Sequence, residues 1–249
     1  MRLPYKQKEN GMYILGKSDM DDIAYMFLKE YAPDALKDPQ PVGIVAIAEE
    51  GLGLTVKYQN LSPNGEISGL IAFGDAEYDC YDSMFRPVTV KISDGNVLID
   101  TSLASRIKNP RKRFTIAHEV SHRLLHRSYH SQANNQFNFR TQNRALIACR
   151  SSSIEREHTK RYNETDSDWE EWQADSLAAS ILMPKDTFLY TAKHFVHGSG
   201  NGRPYIYPDT PREIRYNAVA KIADVFRVSH KATEIRLRQL AIIKDARGA

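Results

Sequence analysis

Residues 113–126 read RFTIAHEVSHRLLH and contain the pattern H-E-x-x-H at positions 118–122. The apolar residues of this stretch recur at the spacing of one helical face, and they are Phe114, Ala117, Val120 and Leu124. Just before the stretch, Asn109 and Pro110 are typical of an N-cap and a first helical residue. The sequence therefore predicts a helix that begins near residue 110 and buries one of its faces.

The two histidines of the pattern lie four residues apart. Residues at this spacing are one helical turn apart on the same face, so the imidazoles of His118 and His122 can bind one ion. Zinc lowers the pKa of its bound water to roughly 7, and a neighbouring carboxylate can take the proton as water attacks a peptide carbonyl. The pattern predicts zinc ligands at His118 and His122 and a general base at Glu119. A solvated helix with two surface histidines is the alternative, and five residues alone do not exclude it.

A second helix is predicted at residues 168–183, DWEEWQADSLAASILM, and Pro184 ends it. A catalytic zinc needs a third protein ligand and an open position. Glu171 and Asp175 are four apart on a face whose later residues are apolar, so we expect Glu171 to be that ligand. Asp175 is then placed to accept a hydrogen bond from a ligand histidine. For Glu170 we expect a solvated position in the first helical turn.

His126 offers a competing third ligand, because it continues the four-residue spacing of His118 and His122. Along a straight helix, about 12 Å of rise separates His118 from His126, whereas ligands of one tetrahedral zinc lie within about 4 Å of each other. The longer pattern H-E-x-x-H-x-x-G-x-x-H is also absent, since Leu125 and Ser128 occupy its glycine and third histidine positions. We therefore expect His126 to be dispensable for zinc binding.

Helical spacing of apolar residues also occurs near both ends of the chain. One predicted helix begins near Ser18 or Asp19, either of which can serve as its N-cap, and Pro33 ends it. Two more helices are predicted between residues 217 and 243, with Ser229 as the N-cap of the second.

The region between residues 42 and 100 predicts strands. Four short runs are rich in β-branched or aromatic residues, and they are LTVKYQ, ISGLIAF, VTVKI and NVLID. We expect a small antiparallel sheet, in which Asp94-Gly95 forms a hairpin between the last two runs.

These predictions together describe an α+β protein with a small antiparallel-containing sheet packed on two metal-bearing helices. We expect an N-terminal helical segment at 1–41, a peptidase core at 42–190, and a loop with a helical pair at 191–249. Residues 127–166 are polar and lack periodicity, so they are predicted to form a long insertion in the core.

The composition excludes several classes of protein. At 249 residues, with 41% hydrophobic and 26% charged residues, the chain has the content of an ordinary globular protein. Two cysteines, Cys80 and Cys149, are too few for a thiolate zinc site, so any metal must use histidine and carboxylate. No apolar run approaches the ~20 residues that span a bilayer, and the N-terminus does not resemble a secretory signal. We expect a cytoplasmic protein without a membrane role.

Three ordered stretches resemble motifs of the ImmA/IrrE family of metallopeptidases. RFTIAHEVSHRLLH is similar to R-F-T-x-A-H-E-x-x-H-x-x-L-H, and EWQADSLAASILMP at 171–184 to E-x-x-A-[ND]-x-x-A-A-x-x-L-M-P. FRVSHKATEIRL at 226–237 is similar to F-x-V-S-x-x-A-x-x-x-R-L. The resemblance covers residues 65–241.

The resemblance implies a thermolysin-like minimal zincin with zinc on His118, His122 and Glu171 and with Glu119 catalytic. Members of the family are associated with cleaving transcriptional repressors, which makes a repressor one candidate substrate. The chain departs from the family pattern in the long separation between His122 and Glu171. It also departs in showing no helix-turn-helix pattern before the peptidase motifs.

The main alternative is a DNA-binding or regulatory protein whose zinc is structural. The predicted helices at 219–226 and 229–240, with Lys231, Arg236 and Arg238, can form a helix-turn-helix. Ordinary antiparallel packing of two helices is the favoured interpretation. A structural site is also expected to have a closed fourth ligand rather than a free carboxylate beside an open position. We therefore predict an endopeptidase that acts on a protein or peptide partner, with nucleic acid not favoured.

Overall fold

The computed structural model describes residues 3–105, 109–130, 146–150, 165–196, 199–200 and 203–243. Its α-helices are α1 (Lys17–Tyr31), α2 (Ile44–Ala46), α3 (Asn109–Leu125), α4 (Asp166–Leu182), α5 (Lys185–Phe195), α6 (Arg212–Phe226) and α7 (His230–Gln239). Its strands are β1 (Thr55–Gln59), β2 (Ile67–Ala72), β3 (Ala76–Tyr81), β4 (Pro87–Ile92), β5 (Asn96–Asp100), β6 (Leu146–Arg150), β7 (Ser199–Gly200) and β8 (Arg203–Pro204). Within these ranges no helix has the length and hydropathy needed to cross a membrane.

Within the described residues the main sheet has four strands, in the order β1-β5-β2-β6. Strand β5 is parallel to β1 and antiparallel to β2, and β6 is antiparallel to β2. Strands β3 and β4 form a separate antiparallel hairpin. The prediction of an α+β protein with a small sheet is confirmed, and the sheet is mixed rather than antiparallel throughout.

The predicted hairpin at Asp94-Gly95 is wrong. Gly95 does adopt the left-handed conformation of a turn, with φ of 81°. Its N–H, however, donates to the carbonyl of Ala72, and its own carbonyl accepts from the N–H of Thr55. The turn therefore leads from the separate hairpin into the main sheet. Strand β5 is buried on both faces, so it takes a central position between two partners, whereas β4 is largely exposed.

Side chains of the sheet alternate between two cores. Ile71, Val97 and Ile99 belong to the large core shared with the helices. Leu70 and Leu98, one residue out of phase, pack in a smaller core with residues of the β3–β4 hairpin. The structure therefore has three layers, with the sheet between the hairpin and the helices.

Helices α3 and α4 pack side by side in the helical layer, and α1 packs on the other side of α4. The predicted helix around residues 110–126 is confirmed as α3, and the predicted helix that ends before Pro184 is confirmed as α4. Strand β6 was not predicted, because it lies inside the segment interpreted as an insertion. The segments 131–145 and 151–164 of that insertion lie outside the described residues.

The helices predicted near the two ends of the chain are present, and their caps agree with the prediction only in part. Helix α1 begins at Lys17, so Ser18 and Asp19 are not its N-cap; the Asp19 carboxylate accepts the N–H of Gly16 at 2.7 Å instead. Near the other end, Ser229 does cap α7, since its hydroxyl oxygen accepts the N–H of Ala232 at 3.1 Å. Helix α5 follows Pro184 directly and was not predicted. The large core contains residues from all three predicted segments of the chain.

Candidate metal centre

Helices α3 and α4 bring two histidines and a carboxylate together. His118 and His122 face inward from α3 and are fully buried, while the Glu171 side chain on α4 is 24% exposed. One ligand atom from each of the three lies within 4.8 Å of the others. Solvent therefore reaches the group from the side of Glu171.

The distances between these atoms suit one metal ion. The Nε2 atoms of His118 and His122 are 2.8 Å apart. Glu171 places Oε1 3.4 Å from Nε2 of His122 and Oε2 3.6 Å from Nε2 of His118. Ligand atoms about 2 Å from a tetrahedral ion lie roughly 3.3 Å from one another. The three side chains can thus bind a common ion without a large rearrangement.

The other ring nitrogen of His118 contacts Asp175. Its Nδ1 lies 2.8 Å from Oδ1 of that carboxylate, which is almost fully buried. Because an ionised carboxylate only accepts hydrogen bonds, Nδ1 carries the proton of the neutral ring. Nε2 then presents its lone pair toward His122 and Glu171. Asp175 therefore orients the ring of His118 so that Nε2 faces the other two potential ligands.

Glu119 is fully buried beside the two histidines. Within the described part of the chain, neither of its carboxylate oxygens has a hydrogen-bond partner. Burial raises the pKa of this carboxyl to about 8, although the neighbouring His118 acts in the opposite direction. A buried carboxyl without hydrogen bonds is costly to maintain, which is typical of a group kept for function rather than for stability.

Strand β2 passes close to Glu119 at Gly69. A Cβ atom at this position would lie 2.7 Å from Oε1 of Glu119 and 2.5 Å from Cγ2 of Thr115. Both distances are far below normal contact, so only glycine allows β2 to approach α3 this closely. This role of Gly69 was not predicted from the sequence, although a glycine inside an apolar strand run often marks a close approach.

A second group of potential ligands adjoins the first and shares His122 with it. His122, His126 and Glu170 are buried, and one ligand atom of each lies within 4.8 Å of the others. Nδ1 of His122 is 2.9 Å from Nδ1 of His126, and both lie just under 4 Å from Oε1 of Glu170. The structure therefore has buried histidine and glutamate groups that can bind a metal ion.

The prediction of a solvated Glu170 is wrong, because its residue is only 6% exposed. Its Oε1 lies 2.5 Å from Nε2 of His130, the last of four histidines at four-residue spacing that form a histidine stripe, His118, His122, His126 and His130. The N-terminal segment covers this end of α4 and contacts Asp166 through Lys8 and Asn10. Helical periodicity within α4 contains no information about a segment more than 150 residues away.

Burial disfavours the charged form of the imidazole rings of His122 and His126. It lowers the pKa of His126 to about 3 and that of His122 well below its usual range. Both rings are therefore neutral near pH 7, and each has one protonated nitrogen and one lone pair.

Gln173 is a further residue of the site that was not predicted from the sequence. Its Oε1 lies 3.0 Å from Nε2 of His126, and its Nε2 donates to the backbone carbonyl of Tyr13 at 2.8 Å. The available signal was its position three residues after Glu170, which places both on the face of α4 that contacts the histidine stripe.

The C-terminal helices do not present Arg236 to a nucleic acid. This side chain is 3% exposed, and its guanidinium donates to the carbonyl of Met183 and to the carboxylate of Asp21. Helix α7 also buries Thr233 and Leu237. These contacts are those of a helix packed onto the core.

Comparisons with known proteins assign no family to this chain. No protein-family model matches its sequence, and no curated protein matches it significantly. The resemblance to ImmA/IrrE metallopeptidases therefore rests on the three motifs alone and stays a prediction.

Proposed function

We propose that this protein is a zinc-dependent endopeptidase that hydrolyses peptide bonds of a protein partner, with Glu119 as the general base. One observation carries the proposal. Two histidine nitrogens and a carboxylate from separate helices converge next to a fully buried glutamate whose oxygens have no hydrogen-bond partner among the described residues. Structural metal sites have no use for such a carboxylate.

Zinc is the metal that this set of donors favours. Calcium and magnesium prefer oxygen ligands, whereas His118 and His122 supply two neutral nitrogens. Glu171 adds one carboxylate, which completes the three-ligand set of many catalytic zinc sites. We extend the proposal to a zincin-like arrangement, in which α3 and α4 hold the metal and the small sheet supports them.

Bound zinc would supply Lewis acidity, lowering the pKa of water to about 7 and polarising a peptide carbonyl. The protein groups have separate tasks around it. Asp175 keeps the Nε2 lone pair of His118 directed at the ligand group. In the metal-free chain the pKa of about 8 keeps the Glu119 carboxyl protonated near pH 7, and the charge of a bound cation would lower that pKa. The ionised carboxylate would then accept the proton of the attacking water, because its oxygens are not already engaged by donors of the described chain. The same carboxyl can then donate the proton to the leaving amine.

The nature of the substrate is proposed from the resemblance rather than from the site. A family whose members are associated with cleaving repressors favours a specific protein partner inside the cell over general digestion. Enzymes that act on one target gain much of their rate acceleration from binding far from the scissile bond. Low activity on a generic substrate such as casein is therefore compatible with this function.

The test joins metal analysis to peptide cleavage. Full-length wild type, Glu119→Gln and the exposed control Glu213→Gln are loaded with zinc and incubated with a mixed peptide library, and products are identified by mass spectrometry. We expect one zinc per chain in all three. Cleavage should fall by orders of magnitude in Glu119→Gln alone, because the amide keeps the shape and removes the base. Full activity of Glu119→Gln, or a wild type that binds no zinc, would refute the proposed function.

A further inference from the structure

Two arginines of the described chain are buried, and they differ in their partners. Arg236 is 3% exposed and donates to the carboxylate of Asp21 as well as to a backbone carbonyl. Arg113 on α3 is 8% exposed, but its Nη2 donates to the carbonyl of Phe226 at 3.4 Å, and its Nε has no partner within the described residues. A buried cation is costly without a counter-charge. In the described chain, no carboxylate therefore balances the charge of Arg113.

Arg227 brings a second positive charge to the same place. It directly follows Phe226 and is exposed, and its side chain forms no hydrogen bond or ion pair with the described residues. The nearest acidic residue in this segment, Asp224, accepts the N–H of Arg227 through its backbone carbonyl at 3.3 Å. Burial lowers the pKa of Arg113 to about 10, and the charge of Arg227 acts in the same direction. Two cationic side chains thus lie close together where α3 meets the end of α6.

The backbone at Arg227 is in a conformation that disfavours arginine. Its φ is 51°, in the left-handed region that glycine adopts most readily just after the end of a helix. The cationic side chain is therefore held at this position at some cost in backbone strain. Such strain is common at residues that are kept for binding.

Capping of α6 explains the position of Arg113 but not that of Arg227. The C-terminal end of a helix has a partial negative charge, and a cation beside it is stabilised. Arg113 can serve this purpose through the carbonyl of Phe226. Two preceding carbonyls of α6 already accept backbone N–H groups of the turn that follows the helix. Capping therefore requires neither a second cation nor an arginine in the left-handed conformation.

We propose that Arg113 and Arg227 bind inorganic phosphate or a phosphate monoester where α3 meets the turn between α6 and α7. Guanidinium groups match the geometry of phosphate oxygens, and a phosphate dianion balances two positive charges, whereas a carboxylate balances only one. A monoester has three free oxygens that can reach the recessed Arg113, whereas the phosphodiester of a duplex would contact mainly the exposed Arg227. Arg113 lies about 140° around α3 from His118, so this site is separate from the metal centre.

Arginine Nε–H correlation spectra of the metal-free, full-length protein test the site directly. Protein labelled with ¹⁵N-arginine is titrated at neutral pH with sodium phosphate or with sodium chloride at equal ionic strength. We expect the signals of Arg113 and Arg227, assigned from Arg113→Met and Arg227→Gly, to shift until saturation in phosphate only. The exposed control Arg212→Gln should titrate as wild type does. Signals that move equally in both salts, or that never saturate, would overturn the proposal.

Melting temperatures separate phosphate binding from capping. Phosphate stabilises many proteins because it is excluded from their surface, so each variant is compared in phosphate and in chloride. At about 100-fold excess of phosphate over the dissociation constant, wild type and Arg212→Gln should gain about 5–10 °C more than Arg227→Gly or Arg113→Met. Arg227→Gly should melt no lower than wild type in chloride, since glycine suits the left-handed φ. If all four proteins gain equally, the two arginines only cap and surround α6 and the proposal is wrong; if Arg113→Met does not fold, Arg227→Gly decides.

Three probes identify the source of the phosphate. Inorganic phosphate, a short phosphoserine peptide and random duplex DNA are compared through the same Nε–H shifts. Tighter binding of inorganic phosphate indicates the free ion, and tighter binding of the peptide indicates a phosphorylated protein; either result supports the site. Tighter binding of the duplex than of both monoester probes would overturn it. Neither arginine belongs to the proposed hydrolytic site, so the activity of Glu119→Gln has no bearing on these outcomes.

Discussion

Gly69→Ala tests whether the close approach of β2 to α3 shapes the site. The added Cβ would lie 2.5 Å from Cγ2 of Thr115 and 2.7 Å from Oε1 of Glu119, so one of the elements must move. Thr115 is fully buried and β-branched, and its hydroxyl donates to the carbonyl of Arg111, so its methyl group cannot turn away freely. The movement therefore falls on the strand, the helix or Glu119.

We expect Gly69→Ala to lower the free energy of unfolding by about 1–3 kcal/mol, the usual effect of overpacking a core. For a chain of this size each kcal/mol lowers the melting temperature by about 2–4 °C, so a decrease of roughly 2–12 °C is expected by calorimetry. Gly43→Ala is the matched control, because a Cβ there meets no atom within 4 Å and its φ of −74° suits alanine. Adding Thr115→Ser to Gly69→Ala removes the clashing methyl group and should restore part of the stability.

The reasoning is refuted if Gly69→Ala melts no lower than Gly43→Ala. It is also refuted if Thr115→Ser gives no recovery in the Gly69→Ala background. Zinc affinity of Gly69→Ala should stay near the wild-type value, since the new methyl group contacts Glu119 rather than a ligand, while peptide cleavage should fall.

Three further predictions concern the ligands, a buried ion pair and pH. Glu171→Ala should abolish tight zinc binding, and Asp175→Ala should weaken it by about 10- to 100-fold in a chelator competition. Asp21→Ala should destabilise the protein by about 3–5 kcal/mol in urea denaturation, because it leaves the buried guanidinium of Arg236 without its carboxylate. In the metal-free protein the raised pKa of Glu119 means that the folded state retains a proton that the unfolded state releases above about pH 4.5. Stability should therefore fall as pH rises from about 4.5 to 8, by an amount on the order of a few kcal/mol, and Glu119→Gln should remove this component.

Each of these has its own control. Asp22→Ala changes an exposed neighbour of Asp21 and should cost little, so equal effects of the two variants would contradict the ion-pair argument. If Glu171→Ala binds zinc as tightly as wild type does, Glu171 is not a zinc ligand and the assigned ligand set is wrong. For the pH effect, the difference in unfolding free energy between wild type and Glu119→Gln is measured in chelator at several pH values, and a constant difference would contradict the raised pKa.

Local patterns predicted the elements that hold the site. The helical spacing around HEVSH and the apolar run around EWQAD that ends at Pro184 predicted α3 and α4, because each pattern lies within one element. Spacing predicted that His118 and His122 can share an ion, and the face of Glu171 in the second helix made it the expected third ligand. The structure places the ligand atoms of all three together. Amphipathic periodicity is a property of a single helix, so the sequence contains it in full.

Pairing between strands was less predictable. The run NVLID looked like half of a hairpin because a turn precedes it, but its burial on both faces gives it a central place between β1 and β2. Which strands pair depends on the apolar area that each pairing buries, and that area depends on elements distant in the chain. Strand β6 pairs with β2 for the same reason, across an intervening helix.

The sequence by itself determined the chemistry available to this protein: two histidines one turn apart, an adjacent glutamate and a second acidic helix. Only the tertiary structure decided how those groups are used. It buries Glu119 against Gly69. It also buries Glu170, which was expected at the surface, in contact with His130. It also connects His122 through His126 and Gln173 to the backbone of Tyr13. Ligand spacing is local to a helix, whereas burial and hydrogen-bond partners depend on segments that meet only after folding.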